Sequence, residues 1–381
     1  MRAIQLLQPS KLVFGSGSWE LFVEDTLQAA PKKVYLLIAE PLTKALKPGI
    51  DRLKASGIRL RLSVYEAGEP TFGLYQQYLR EVKSFQPQVI VGIGGGSVLD
   101  LAKILAAMQD STSELSEFIG INLLESRKTA LICIPTTAGT GSEVSPNAIL
   151  LDEETMEKKG VISPYLVPDA TYIDPDLTLG LPAKITAETG IDALSHCIEA
   201  YTNKFSHPLI DDYALRGISL IGQNLLRAYT DGSDIEARTA VALGSMYGGL
   251  CLGPVNTAAV HALSYPLGGK YHVPHGLANA VLLPEVMAYN LSSDVSKHEQ
   301  IALAIGAKKG NSPEETAKNG LEKIKEMVRL CNIPQDLSHL GVEKEDVTEL
   351  ATMAMRVSRL LKNNPKEMTL EDAEQIYYSL F

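Results

Sequence analysis

The chain has 381 residues, of which 45% are hydrophobic and 21% are charged, and its formal net charge at pH 7 is −10. This composition is typical of a globular protein with a substantial core, and the length is sufficient for two domains of ordinary size. The acidic balance argues against nucleic acid as a partner, because binding to phosphates requires a basic surface.

Membrane insertion and secretion are not expected either. No apolar run approaches the roughly 20 residues that a transmembrane helix requires. The N-terminal stretch MRAIQLLQPSKLVFG lacks the layout of a signal peptide, because its apolar run is short and interrupted. Four scattered cysteines, without close pairs, indicate reduced thiols and exclude a Cys-rich zinc site; they are Cys133, Cys197, Cys251 and Cys331. We therefore expect a cytoplasmic protein without a membrane partner.

Residues 1–182 alternate short β-rich runs with turn signals and helical patterns. The runs are VYLLIA (34–39), RLRLSV (59–64), VIVG (89–92) and ALICI (130–134). Fully apolar strands such as VIVGIG are typical of a parallel sheet that helices cover on both faces. This segment is predicted to be an α/β domain.

Residues 183–381 have a different texture. Helical spacing dominates, for example over 192–197 and 314–330, and Pro and Gly separate the helical stretches. This half is predicted to be an all-α domain.

A glycine loop follows the strand VIVGIG. Gly94, Gly95 and Gly96 would let the backbone approach a ligand closely and adopt positive φ angles. The amides of Gly96 and Ser97 would begin a helix whose positive end attracts an anion such as a diphosphate. A simple tight turn between strand and helix is the alternative, because the loop is not a strict G-x-G-x-x-G.

A second polar loop, PTTAGTGSEVS, follows the strand ALICI. Thr136, Thr137 and Thr140 supply hydroxyl groups, although the segment could equally be a turn that caps the next element. Two such loops at the carboxyl ends of parallel strands favour a nucleotide crevice. Glu40, after an earlier strand, could accept hydrogen bonds from both hydroxyls of an adenosine ribose and repel a 2′-phosphate, which favours NAD over NADP. A surface glutamate would be equally ordinary there.

The C-terminal half contains a candidate metal site. Asp192 and His196 lie four residues apart on a helical pattern, so that both side chains share one face. A hydrogen-bonded surface pair is the usual explanation of this spacing, but the neighbouring residues are apolar and an unpaired charge would be costly among them.

Two later histidines could complete this site. His261 lies in a helical pattern that is expected to end at Pro266, and His275 precedes the next helix, so a turn could bring both to one point. One carboxylate and three imidazoles suit Fe(II), Zn(II), Co(II) or Ni(II) better than Ca(II) or Mg(II). A structural tetrahedral zinc site and a catalytic metal that also takes a substrate oxygen both remain open.

Together these segments resemble the iron-containing (group III) alcohol dehydrogenase family. The resemblance extends along essentially the whole chain, through KLVFGSGS, GGGSVLDLAK, IPTTAGTGSEVS, LVPDATYIDPDLT, TGIDALSHCIEAY and HALSYPLGGKYHVPHGLANA. It implies a nucleotide-binding α/β domain, a helical domain, one divalent metal and a homo-oligomer, commonly a dimer.

The resemblance also assigns individual residues. It implies metal ligation by Asp192, His196, His261 and His275. It places a diphosphate loop on Gly94–Ser97 with Asp100 in the helix behind it, a threonine loop on Thr136, Thr137 and Thr140, and a cofactor-contacting lysine on Lys158. Some relatives have a histidine near the nicotinamide where this chain has Tyr265. His272 is then the nearest titratable candidate for a proton relay, and an exposed or supporting histidine is the alternative.

The expected activity is reversible hydride transfer between an alcohol carbon and NAD, with the metal polarising the substrate oxygen. Fe(II) is favoured with Zn(II) as the alternative metal, and NADP is the alternative cofactor. Two other functions are weighed against a dehydrogenase that acts on a small alcohol or aldehyde. One is a dehydroquinate synthase-like lyase that also uses NAD and a metal, and the other is a catalytically silent protein that binds both.

Overall fold

Parallel strands organise the N-terminal half of the chain in this computed structural model, which describes residues 2–66 and 68–381. The strands are β1 (Lys11–Phe14), β2 (Lys33–Ala39), β3 (Arg59–Tyr65), β4 (Val89–Gly94), β5 (Gly120–Ile121), β6 (Ala130–Pro135), β7 (Asn147–Asp152), β8 (Glu157–Ile162) and β9 (Ala170–Ile173). Six of them form a sheet in the order β1-β9-β6-β4-β2-β3, and every neighbouring pair in it is parallel. A smaller sheet has the order β5-β8-β7.

Helices cover both faces of the main sheet. They are α1 (Ser18–Ala29), α2 (Lys47–Ala55), α3 (Phe72–Phe85) and α4 (Gly96–Met108). Alternate residues of β2 show why its sequence is hydrophobic from Val34 onward. Val34, Leu36 and Ile38 pack in a cluster with side chains of α1 and α2, whereas Tyr35 and Leu37 pack in a second cluster with α3 and α4. A strand that is buried on both faces needs apolar residues at every position.

The C-terminal half is helical. Its helices are α5 (Ala183–Thr202), α6 (Pro208–Thr230), α7 (Ile235–Leu252), α8 (Ala259–Tyr271), α9 (His275–Asn290), α10 (Val295–Ala304), α11 (Pro313–Leu330), α12 (Val347–Met355), α13 (Ser358–Leu361) and α14 (Leu370–Tyr378). Glycines allow three of them to approach closely. A Cβ atom added at Gly217 of α6 would lie 2.4 Å from Sγ of Cys197 in α5, and one added at Gly244 of α7 would lie 2.5 Å from Cγ1 of Ile221 in α6. Among the described residues, no helix is both long and apolar enough to cross a bilayer.

The predicted fold class, a parallel α/β domain followed by an all-α domain, is confirmed. The chain divides into an α/β unit of Leu7–Thr137 and Ser142–Leu179 and a helical unit of residues 2–6, Ala138–Gly141 and Gly180–Phe381. The sequence predicts one boundary, between 182 and 183. The structural division differs from this predicted boundary mainly in the threonine loop, where Ala138–Gly141 belongs to the helical unit. This segment packs closely against α7, since a Cβ atom at Gly141 would lie 2.3 Å from Cα of Gly249.

The expectation that a helix ends at Pro266 is wrong. Helix α8 contains this proline and continues to Tyr271. Proline lacks an N–H donor, but its fixed φ angle is close to the helical value, so the helix can continue with the loss of one hydrogen bond. The helix ends where His272 takes a left-handed φ of 55° and its N–H donates to the carbonyl of Leu267.

Candidate metal and nucleotide sites

Helix α5 presents three ionisable side chains on one buried face. Asp192, His196 and Glu199 follow one another at intervals of four and three residues, which places them along a single helical stripe. All three are buried. Helix α7 packs directly against this stretch, since a Cβ atom at Gly248 would lie 3.2 Å from Cβ of His196. Buried ionisable groups of this kind need partners inside the protein.

Helices α8 and α9 bring the other two predicted ligands to this face. His261 lies in the first turn of α8, and His275 is the first residue of α9. The Nε2 atoms of the three histidines lie 3.8 Å (His196), 3.5 Å (His261) and 3.8 Å (His275) from Oδ1 of Asp192. The four donor atoms all lie within 4.8 Å of one another. The structure therefore brings together all four residues that the sequence selected.

These separations fit one metal ion. They are longer than the roughly 2.7–3.2 Å of an ordinary N–H···O hydrogen bond. Two ligands that are each about 2.1 Å from one ion, at tetrahedral angles, lie about 3.4 Å apart. The donor set is one carboxylate and three imidazoles, which suits a divalent transition metal.

Electrostatics also favour a cation at this point. Burial would raise the pKa of the Asp192 carboxyl, but the three neighbouring histidines hold it below its usual value. Burial lowers the pKa of His196. Burial also disfavours a charged His261, but Glu199 and Asp192 outweigh it and raise the pKa of this ring to about 9. The two carboxylates thus attract positive charge, which a divalent ion would supply.

Glu199 is a site residue that the sequence analysis did not select. Its Oε2 lies 2.5 Å from Nδ1 of His261, and its Oε1 accepts the backbone N–H of Val260 at 2.6 Å. A carboxylate only accepts, so Nδ1 carries a hydrogen, which leaves Nε2 as the nitrogen that would bind a metal ion. The available signal was its spacing from His196, which puts both side chains on the same helix face.

Asn279 is the second residue that the sequence analysis missed. It lies one helical turn after His275 in α9, and its side-chain amide donates to Oδ1 of Asp192 at 2.6 Å. Helical spacing from a selected histidine was again the only signal, and an asparagine at this distance is common without any metal.

The two predicted catalytic residues lie in different environments. Tyr265 is one turn after His261, and its ring centroid lies 6.3 Å from that of His275. His272 is exposed, in the turn between α8 and α9. Tyr265 therefore lies beside the donor set, whereas His272 does not belong to it.

The glycine and threonine loops meet at one edge of the main sheet. The backbone N–H of Thr136 donates to the carbonyl of Gly94 at 3.0 Å. A Cβ atom added at Gly95 would lie 3.2 Å from Oγ1 of Thr137. Thr140 lies in the short segment that belongs to the helical unit.

Helix α4 begins inside the glycine loop. Gly96 is its first residue, so the N–H groups of Gly96 and Ser97 lie in the first turn, where a helix offers no acceptor. The expected positive φ angles are absent from all three glycines of this loop. Close packing is the constraint instead, because a Cβ atom at Gly94 would lie 2.7 Å from Cγ2 of Val98.

The carboxylate of Asp100 accepts hydrogen bonds from two groups of the protein. Its Oδ1 accepts the hydroxyl of Ser142, and its Oδ2 accepts the N–H of Ile149 at 2.9 Å. One turn later, the buried ammonium group of Lys103 donates to the carbonyls of Ser142, at 2.7 Å, and Asn147, at 2.5 Å. Both side chains fasten the segment that follows the threonine loop.

The remaining predicted cofactor residues lie in different parts of the α/β unit. Glu40 is exposed and directly follows β2, which pairs with β4, so it lies at the same sheet edge as the glycine loop. Lys158 lies in β8 of the smaller sheet, and its Nζ is 2.7 Å from Oε1 of Glu69.

Comparisons with known proteins agree over the full length. Residues 9–175 match the family model for iron-containing alcohol dehydrogenase, and residues 186–381 match the model for the C-terminal part of the Fe-containing alcohol dehydrogenase family. The chain is 36% identical over 368 residues to alcohol dehydrogenase 4 of Saccharomyces cerevisiae, which covers 95% of this chain and 94% of that protein. It is 32% identical to 1,3-propanediol dehydrogenase of Klebsiella pneumoniae, over 100% of this chain and 99% of that protein. A crystal structure of 1,3-propanediol oxidoreductase superposes with a TM-score of 0.94 at 32% identity, over 100% of both chains.

Proposed function

The chain belongs to the iron-containing alcohol dehydrogenase family and is an alcohol/aldehyde oxidoreductase, and we propose that Asp192, His196, His261 and His275 hold its metal ion. The single observation that carries this assignment is the convergence of their four donor atoms within 4.8 Å. When bound, a divalent metal polarises the oxygen of an alcohol or aldehyde, and the nicotinamide accepts or returns the hydride.

The side chains around this point have separate tasks in the proposed reaction. Asp192 supplies the negative charge of the donor set, and Glu199 fixes a hydrogen of His261 on Nδ1. The burial of Asp192, His196 and His261 keeps bulk water away from the donors, which strengthens electrostatic interactions within the site.

Tyr265 and His272 are proposed to serve the substrate and its proton. The position of Tyr265 beside His275 supports a role for its hydroxyl in orienting a substrate oxygen. The exposure of His272 supports a role in passing the proton to solvent. If the pH profile of kcat/KM of a His272→Ala variant matches that of the wild type, His272 is not the proton relay.

NAD is the proposed cofactor. The glycine loop, from Gly94 to Ser97, would hold the diphosphate, with Thr136, Thr137 and Thr140 as further contacts. Lys158 is a proposed cofactor contact, and Asp100 is proposed to act by holding the loop that follows. The exposed carboxylate of Glu40 supports NAD over NADP, because a 2′-phosphate would meet a like charge. Glu40→Ser should raise the ratio of NADP-linked to NAD-linked kcat/KM, and an unchanged ratio would contradict this role.

Fe(II) is the proposed native metal, with Zn(II) as the alternative, since the donor set suits both. The similarity to a 1,3-propanediol dehydrogenase makes short primary alcohols and diols the first substrates to test. The protein is further proposed to be a cytoplasmic homo-oligomer. Its four free cysteines support a reducing compartment, and light scattering would give the number of subunits.

The test of the proposed function is a substrate screen. Metal-free protein is reconstituted separately with Fe(II) and Zn(II), and NADH or NADPH formation is followed with alcohols and its consumption with aldehydes. Net NADH formation that depends on the metal is the expected result. Bound metal without net conversion of NAD in any reaction would contradict it and would favour a lyase that recycles its cofactor, or a silent binding protein.

A further inference from the structure

The side-chain amide nitrogen of Asn279 lies among three of the four proposed metal donors. Nδ2 is 2.6 Å from Oδ1 of Asp192, 3.1 Å from Nε2 of His261 and 3.2 Å from Nε2 of His275. The residue is 0% exposed. Its own amide oxygen is also buried and has no hydrogen-bond partner among the described residues.

The Asp192 carboxylate determines which end of this amide faces the donors. An ionised carboxylate only accepts hydrogen bonds, and only the NH₂ end of an amide can donate. The reversed amide would place the side-chain oxygens of Asn279 and Asp192 2.6 Å apart, and neither oxygen could donate a hydrogen bond to the other. The nitrogen therefore faces the donors, although the buried oxygen is left without a hydrogen-bond partner among the described residues, which costs stability.

An amide nitrogen differs from every other group at this point, because it has no lone pair available for a cation. We propose that Asn279 is a positioning residue of the metal site. It holds Asp192 in its ion-facing orientation, and it fills the space beside His261 and His275 with a group that cannot become a ligand.

This inference rests on the proposed metal site and adds a reason for the residue type. A catalytic metal needs a coordination position that is open to substrate, whereas a site filled by protein ligands is structural. An aspartate has nearly the same shape as asparagine but carries an oxygen that can ligate. The amide thus keeps the number of protein ligands at four, which leaves a position for substrate on an ion that accepts five or six ligands.

Two substitutions separate the two tasks. Asn279→Asp replaces the donor by a potential ligand, so we expect tighter Co(II) binding, a weaker visible absorption of the Co(II) protein and a lower kcat. The absorption should fall because a fifth protein ligand moves Co(II) further from tetrahedral geometry, and Co(II) absorbs visible light more weakly as its coordination number rises. Asn279→Ala leaves Asp192 without its donor, so we expect a Co(II) Kd about tenfold higher than that of the wild type.

Asn290→Ala is the matched control. Asn290 lies at the end of the same helix, is also buried, and exchanges hydrogen bonds of 2.8 Å with Asn364. Its removal should lower Tm without changing the Co(II) Kd or spectrum. Tm of each metal-free variant is measured first. If the carboxylate introduced by Asn279→Asp repels that of Asp192 so strongly that this variant does not fold, Asn279→Ala alone decides the question.

The results distinguish the role of Asn279 from the existence of the metal site. If the Asn279 variants match Asn290→Ala in Co(II) Kd and spectrum, Asn279 is only a packing residue and the inference is overturned while the metal site stands. If the wild-type protein binds no Co(II), the proposed metal site is overturned and the inference with it.

Discussion

The carboxylate of Glu199 forms hydrogen bonds with two adjacent residues at the start of α8, Val260 and His261. One oxygen lies 2.5 Å from Nδ1 of His261, and the other accepts the backbone N–H of Val260 at 2.6 Å. Ring orientation and backbone position are thus fixed by one side chain from α5. A carboxylate in this position also makes the imidazole a more basic ligand.

Replacing Glu199 should weaken metal binding more than it weakens the fold. Glu199→Ala is expected to raise the metal Kd about 10- to 100-fold. Glu199→Gln should have an intermediate effect, because its single amide oxygen can accept from only one of the two donors. Competition with a chromogenic chelator measures Kd. Glu236→Ala, in which an exposed carboxylate is removed from α7, is the control, and an equal Kd in all these proteins would rule out the role of Glu199.

The start of α9 should tolerate no side chain at Gly276. A Cβ atom there would lie 2.7 Å from the backbone carbonyl oxygen of Glu188, which cannot move aside as a flexible side chain could. Gly276→Ala should therefore destabilise the protein by about 1–3 kcal/mol and weaken metal binding through the adjacent His275. Urea unfolding measures the loss. Gly180→Ala, where the added atom meets nothing within 4 Å, should be neutral, and equal stability of the two variants would contradict the packing argument.

Lys103 should be important for the stability of the α/β unit because its charged side chain is fully buried. Its buried ammonium group donates to two backbone carbonyls, those of Ser142 and Asn147, and faces the carboxylate of Asp100. Lys103→Met should cost about 3 kcal/mol, because two buried acceptors and one carboxylate lose their partner. Thermal and urea unfolding check this value against Lys308→Met on the surface. A loss no larger than that of the control would show that the network contributes little.

The free energy of unfolding should decrease as the pH rises from about 5 to about 8, because the pKa of Glu143 is raised in the folded protein. Burial raises the pKa of this carboxyl from 4.5 to about 7, although the nearby ammonium group of Lys103 opposes the shift. A group whose pKa is raised in the folded state stabilises the fold fully below its unfolded pKa, and this contribution is lost as the pH rises through the folded value. The shift corresponds to about 3 kcal/mol. Urea unfolding from pH 5 to pH 8 should show a steeper decline for the wild type than for Glu143→Gln, and parallel curves would exclude Glu143 as the cause.

The elements that the sequence predicted well were those with a strong local signal. The apolar run of β4 identified a strand covered on both faces, and the spacing of Asp192 and His196 identified one helix face. His261 and His275 could be added only by assuming a turn, and that turn lies at 272–274 rather than at Pro266. A proline inside a helix is compatible with the helical φ angle, so the sequence alone did not show whether α8 would continue.

Two supporting residues of the site had no chemical signal of their own. Glu199 resembles any glutamate within a helix, and Asn279 resembles any asparagine, until α8 and α9 bring His261 and Asp192 beside them. The glycine loop shows a related limit. Its composition suggested positive φ angles, but Gly94 is required because α4 packs onto the end of β4. Contacts between distant segments decide such roles, and local spacing does not contain them.

Metal content and activity, measured on the same protein samples, test the central claim most directly. Wild-type protein, Asp192→Ala and His261→Ala are loaded with Fe(II) or Zn(II), freed of excess metal, and examined by elemental analysis and by alcohol-dependent NADH formation. The account predicts one ion per chain and measurable NADH formation for the wild type, with both lost in the two variants. Full metal content together with full activity in either variant would contradict it.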